Sequence, residues 1–181
     1  TCVIIKHNTP CGLASDTNIY KAFLKAYNSD PISAYGGIVA VNRKINKSAS
    51  LLLISKFFDI IIATSFSKDS NKILKTKKNL ILIETKNVHI ENKSDIKSVN
   101  GGYLVQEKNK LTFSKRKMKC VSNKIATNNQ INDLIFAFKI AKHAKSNAVV
   151  LVKNKQIIGI GSGQTSRINS TKIALSKISQ K

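Results

Sequence analysis

Short apolar runs of strand length alternate with helical patterns along this chain, and that alternation restricts the fold to an α/β sheet with helices wound over it. Thr1-Cys2-Val3-Ile4-Ile5 reads as a first strand, which passes through Lys6-His7 into the turn residues Asn8-Thr9-Pro10-Cys11-Gly12. Ser15-Asp16 can cap a helix running to about residue 27, with Tyr20, Phe23 and Leu24 on one face, and Asp30-Pro31 closes that stretch. Strands are expected at Ile38-Val39-Ala40-Val41, Ile60-Ile61-Ile62 and Leu80-Ile81-Leu82-Ile83, with helices over 48–58 and 67–77 between them. Residues 86–100 are polar and mark a lobe boundary. Gly101-Gly102-Tyr103-Leu104-Val105-Gln106 resumes as a strand, followed by a basic hairpin or loop over 107–119. The strongest helical pattern covers 129–145. Ile131, Leu134, Ile135, Phe138 and Ala141 fall at helical spacing, and Lys139, Lys142, His143 and Lys145 gather at its negative end. A hairpin around Lys153-Asn154-Lys155 and a helix from about Ser166 complete the chain.

The 181 residues suit one domain, or two small lobes sharing a core. No apolar run approaches ~20 residues, so no membrane-spanning helix is predicted. There is no secretory leader pattern, and a chain that starts inside a strand without Met reads as a piece of something longer. Cys2, Cys11 and Cys120 have no zinc-cage spacing and are expected as the reduced thiols of a cytoplasmic protein.

A net charge of +22 first suggests nucleic acid. Yet only Arg43, Arg116 and Arg167 among the 31 cations are arginine, the residue that reads bases and phosphates bidentately. The lysines are also scattered through every segment beside an equally general excess of Ile and Asn, the pattern AT-rich codons produce. Most of the charge is therefore read as compositional drift, and no specific nucleic-acid partner is expected. Its physical consequence, attraction of anions, remains.

Lys6-His7 is the pair best suited to chemistry. Imidazole exchanges protons near neutrality, an adjacent ammonium favours its neutral form, and that ammonium can meet developing negative charge. The alternative is an idle, solvated strand end. Three glycines between Gly159 and Gly163 precede a helix start and Arg167, so the segment is either an anion-binding loop or a plain strand-to-helix connection. Asn147 either caps a junction or hydrogen-bonds a substrate carbonyl. Asp59 opens an apolar strand and is expected to be paired or to face a pocket. Gly36-Gly37 permits close backbone approach to a ligand, or simply turns. His89 and His143 read as surface residues. Pro10-Cys11 matches half of the zinc-deaminase pattern but lacks the second cysteine, and His89-Ile90-Glu91 comes too late, so no metal site is expected.

Lys6-His7-x-x-Pro10-Cys11-Gly12, Asp30-Pro31-x-Ser33-Ala34-Tyr35-Gly36-Gly37, Gly101-Gly102-x-Leu104-Val105-Gln106, Lys145-Ser146-Asn147-Ala148 and Gly159-x-Gly161-x-Gly163-Gln164-x-Ser166-Arg167 occur in this order. Together they resemble the family of bifunctional purine-biosynthesis enzymes that join an AICAR formyltransferase to an IMP cyclohydrolase, within the formyltransferase part. The resemblance implies zinc-free, cytidine-deaminase-like three-layer α/β lobes, the first over residues 1–90 and a second, incomplete at its C-terminus, over 101–181. It implies formyl transfer from 10-formyltetrahydrofolate to the 5-amino group of AICAR, giving FAICAR. His7 would be the proton-transfer residue and Lys6 the oxyanion stabiliser. Gly36, Asp59, Asn147 and Arg167 would bind the AICAR nucleotide, the last two across a homodimer interface that shares active sites, and Ile168 would touch folate. Thr9 stands where the family usually has Asn or Ser, and Ala63-Thr64 where it usually has Ala-Pro. The family's cyclohydrolase domain and two further substrate-holding stretches have no counterpart here, so the piece is expected not to be fully active alone. Competing with this reading are a basic nucleic-acid-binding module, supported by charge only, and a folded but inactive remnant of the enzyme.

Overall fold

The apolar run at the start of the chain becomes β1 (Cys2–Lys6), and β2 (Thr9–Ala14) answers it at once. In this computed structural model, which describes residues 1–86, 94–109 and 118–179, the two strands pair antiparallel with Lys6 opposite Thr9. Only His7 and Asn8 remain for the turn, at φ of 49° and 59°. A two-residue hairpin requires that left-handed pair. The residues expected as a turn after His7 are therefore mostly strand. Pro10 and Gly12 misled because they serve other purposes. The register slips by one residue between Ile4 and Ile5, leaving Cys11 as a bulge beside Pro10, where a missing N–H is tolerated.

The chain continues through α1 (Ile19–Tyr27), α2 (Pro31–Ala34), β3 (Gly37–Val41), α3 (Lys47–Ile54), β4 (Phe58–Ala63), α4 (Lys68–Leu74) and β5 (Ile81–Glu84). Then come β6 (Ser94–Val99), β7 (Gly102–Glu107), α5 (Asn128–Ala141), β8 (Val149–Lys153), β9 (Gln156–Gly161) and α6 (Arg167–Ser179). Seven strands form one mixed sheet in the order β5-β4-β3-β1-β2-β9-β8. The α/β class is as the alternation predicts, but only β3, β4 and β5 run parallel; the other pairings in this sheet are antiparallel. These directions bring the end of β1, the starts of β2, β3, β4 and β8, and the end of β9 to one end of the sheet. Strands from the two stretches expected as lobes meet through the single pair Ala14–Gln156.

Helix α1 starts later than its first capping signal. Asn18 accepts from the Tyr20 and Lys21 amides, while Asp16 accepts from Asn18 N–H and pairs with Lys25 at 2.7 Å. It buries Ile19, Ala22, Phe23 and Ala26, leaving Leu24 outward. The reason is proximity: a methyl group on Gly12 would lie 2.1 Å from the Ala26 carbonyl oxygen, so small residues face the strand. Helix α6 repeats the device. Methyls on Gly159 and Gly161 would sit 2.0 and 1.9 Å from the carbonyl oxygens of Ala174 and Ser170. The core lies between the sheet and α1, α3 and α4, with Phe23 edge-on to Phe58 at 5.7 Å.

Two expectations change in the second half. Residues 94–99, read as part of a polar boundary, form β6, which pairs with β7 in a separate two-stranded sheet. A strand whose only apolar residues are Ile96 and Val99, three positions apart, lacks both the alternation and the apolar density by which strands announce themselves. Helix α5 opens with a capping box of Thr127 and Gln130, and of the apolar face read from its spacing little is covered: among its residues only Ile140 is buried, and Leu134 and Phe138 stay about half exposed. Residues 87–93 and 110–117, with His89 and most of the basic 107–119 stretch, lie outside the described residues. No helix among the described residues is long and apolar enough to cross a membrane.

Gly12→Ala should cost about 1–3 kcal/mol or more in urea unfolding, because overpacking against backbone cannot be relieved by a rotamer change. Gly102→Ala, where an added methyl meets nothing within 4 Å, should stay within about 0.5 kcal/mol of the parent.

Candidate active site

The cleft originates in the way β2 and β9 separate. They pair only at Ala14–Gln156, and Pro10, further along β2, has no N–H to offer a neighbouring strand. Towards the Lys6 end the strands part, opening a cleft of about 360 Å³. Its floor is Pro10, Cys11, Ile160 and Ile173, and its polar walls are Lys6, His7, Asp30, Ser33, Ser162, Gln164 and Lys177.

His7 is exposed at the tip of the hairpin, and Lys6 is half-buried beside it. The Lys6 ammonium donates to the Tyr35 carbonyl. Gly36 lies against it: an added methyl would come within 3.1 Å of Lys6 Nζ, and the residue has φ of +64°, a conformation only glycine adopts freely. Gly36 N–H donates to the Phe57 carbonyl at 3.0 Å, and the Tyr35 and Phe57 rings pack at 4.9 Å. Lys6 and His7 thus line the cleft together, and Gly36 packs against Lys6.

The remaining candidates are distributed differently. Asn147, after a cis Ser146–Asn147 bond, donates its amide hydrogens to the Gln164 and Thr165 carbonyls, both at 3.0 Å. It clasps the loop that supplies Gln164 to the cleft rather than capping a helix, and its side-chain oxygen is what it can offer a ligand. Arg167 and Ile168 open α6 in exposed positions and do not line the cleft. Of the three glycines before them, Gly159 and Gly161 are used by α6 packing, while Gly163 (φ +69°) donates to the Lys145 carbonyl at 2.7 Å. Of its two expected settings, a partner or a pocket, Asp59 takes the second: it is exposed on β4 and lines a pocket of about 310 Å³ with Phe57, Phe58, Lys77 and Lys78. Strand alternation turns it away from the buried Phe58 side, so its carboxylate stays solvated and needs no buried partner. His143 is exposed as read.

Asp30, Ser33 and Lys177 were not singled out as site residues. Asp30 accepts from Ser33 N–H at 3.0 Å, Ser33 O–H at 2.7 Å and the Lys177 ammonium at 2.8 Å. Burial pushes its pKa up, but Lys177 and Ser33 together outweigh that and hold it below the usual carboxylate value. The Asp-Pro-x-Ser cap pattern was legible; Lys177 was one lysine among many. Burial, then the Asp30 charge, pushes the Cys11 thiol up to about 11, and burial pushes Cys2 up to about 12. Among the described residues no three His, Cys, Asp or Glu side chains gather as a metal site would need.

A lysine and a histidine on one wall of an open cleft, over backbone held to glycine, define a site equipped for proton transfer and anion stabilisation. Residues 1–177 match the family model described as the AICARFT/IMPCHase bienzyme. The chain is 46% identical over 178 residues to the bifunctional purine biosynthesis protein PurH of Caldicellulosiruptor saccharolyticus, covering 98% of this chain and 34% of that protein. It is 43% identical to PurH of Ruminiclostridium cellulolyticum (97% and 35% covered) and 42% identical to PurH of Aquifex aeolicus (97% and 34%). The chain therefore belongs to the AICARFT/IMPCHase bienzyme family. It spans about a third of the length of these curated relatives.

His7→Gly should stabilise the hairpin by about 1 kcal/mol in denaturant unfolding, since it removes a side chain from a left-handed position. At pH 8, iodoacetamide should label the exposed Cys120 in the folded chain and reach Cys2 and Cys11 only after denaturation. Both buried thiols have raised values, so their contribution to stability is complete below the unfolded thiol value of 9.0. It should drain away as pH climbs from there through about 11 to 12, because the unfolded chain releases protons that the fold retains.

Proposed function

We propose that this chain carries the formyl-transfer chemistry of its family, moving a formyl group from 10-formyltetrahydrofolate to the 5-amino group of AICAR. The amine nitrogen bonds to the formyl carbon and pushes the carbonyl electrons onto oxygen, where the Lys6 ammonium meets the charge. His7 takes the proton the amine gives up. Collapse then breaks the bond to the folate nitrogen, which leaves with a proton, and FAICAR and tetrahydrofolate result. The observation that carries this reading is the joint placement of Lys6 and His7 on one cleft wall, with Gly36 backbone packed against the Lys6 ammonium.

In the same reading Gly36, Asp59, Asn147 and Arg167 hold the AICAR nucleotide and Ile168 touches folate. Exposure of Asp59, Arg167 and Ile168 fits groups completed by a second copy in a homodimer or by further parts of a longer protein. The two stretches 1–90 and 101–181 are taken as cytidine-deaminase-like lobes of a cytoplasmic enzyme.

The test replaces the matching third of the Caldicellulosiruptor protein with this chain and assays formyl transfer by absorbance. The chimera should turn over. His7→Ala should lower turnover at least ~100-fold while AICAR affinity stays within a few-fold, and Lys6→Met should cost roughly 100- to 1000-fold, the usual loss on removing an oxyanion partner. Near-normal turnover in either variant overturns the assignment.

A further inference from the structure

Asp30 is the only acid among the described residues that line the cleft, and it is buried there on the same wall system as Lys6. A carboxylate and an ammonium that line one cleft attract each other across it. Lys6 nevertheless donates to a neutral acceptor, the Tyr35 carbonyl, while Asp30 is engaged by Lys177 at 2.8 Å and by both donors of Ser33. Lys177 reaches Asp30 from α6, which also lines the cleft through Ile173. Asp30 also caps α2, and α2 ends at Tyr35, the residue whose carbonyl receives Lys6. One carboxylate thus ties α6 to α2 and sets the acceptor on which Lys6 rests.

We propose that Lys177 is a positioning residue that occupies Asp30 as a decoy counter-ion, so that the Lys6 ammonium stays uncommitted and available to an anionic group of the substrate. This deepens the formyl-transfer reading and rests on it for the identity of that group. The charge balance within the cleft does not depend on it. Without Lys177, the unpaired Asp30 would draw Lys6 off the Tyr35 carbonyl into an ion pair of its own. Removing Asp30 as well would release Lys6 again. An ordinary structural ion pair behaves otherwise, since either single change and the double change then cost about the same.

The experiment uses Lys177→Met, Asp30→Asn, Asp30→Asn/Lys177→Met and Lys177→Arg. Asparagine caps helices as well as aspartate does, so Asp30→Asn removes charge and keeps α2. In the chimera, Lys177→Met should lower kcat at least ~10-fold with KM for folate within about 2-fold. The double variant should recover to within ~3-fold of Asp30→Asn, and Lys177→Arg should stay near the parent. Crystal structures of the same variants give a readout free of activity: Lys6 Nζ should lie at ion-pair distance from Asp30 in Lys177→Met, and back on Tyr35 in the double variant. Equal impairment of the single and double variants, or a Lys6 that stays on Tyr35 in Lys177→Met, overturns the proposal. A chimera without formyl transfer whose Lys6 nonetheless switches partners would instead sink the proposed reaction and leave the decoy pair standing.

Discussion

β1 is hydrogen-bonded along both edges, to β2 and to β3, and the arrangement of the site depends on that double pairing. Its inward residues Cys2 and Ile4 are fully buried, so the strand cannot slip by one residue without turning its apolar side chains to the opposite face. Fixed in the middle of the sheet, β1 runs against the parallel strands β3 and β4. Its end therefore meets their beginnings. Lys6 lands beside Gly36, and β9, on the other side of β2, delivers Ser162 and Gln164 to the same end. Residues separated by more than a hundred positions share a cleft because three strand directions agree.

The cleft also needs a lining: α6 supplies Ile173 and Lys177, the segment that follows α1 supplies Asp30 and Ser33, and both α1 and α6 are seated close against the sheet. Gly12 lets the backbone of α1 approach β2, and Gly159 and Gly161 let α6 approach β9. With ordinary side chains at these positions each helix would stand off. The separation across which Lys177 meets Asp30 would then open, and the chain leading from Asp30 through α2 to the Tyr35 carbonyl would lose its anchor on α6. Packing of small residues and placement of charge are thus one problem in this molecule.

Much of this was legible in the sequence where periodicity and capping agree. The strands β3, β4, β5, β8 and β9 and helices α4 and α5 lie where apolar patterns put them, within a few residues. Reading failed where one residue type serves two purposes. Pro10 and Gly12 read as turn residues because turns use them most, whereas here they accommodate a bulge and a helix. Asp59 was expected to be paired or to face a pocket, and alternation within its strand turns it out to line one. The glycines before Arg167 left an anion-binding loop and a plain strand-to-helix connection both open, and two of them are spent on packing. For the site, the Lys-His pair could be recognised by its chemistry. Lys177 could not, because in a chain with 31 cations no single lysine stands out until the fold gives it a partner.

The tightest link between fold and chemistry is the length of the turn at His7. Lys6 faces the cleft only in the register that pairs it with Thr9. One more residue between the strands would either flip Lys6 to the other face or force a second bulge beside the one at Cys11. A two-residue turn is the connection that keeps the register, and it demands left-handed backbone at both positions. Stability alone would favour Asn-Gly there, yet the first position holds His7 at φ 49°. Histidine tolerates that conformation better than most residues but not for free. The strain is therefore the direct cost of setting an imidazole next to Lys6 at the very end of a central strand, where no longer or more relaxed loop would leave both side chains on the same wall.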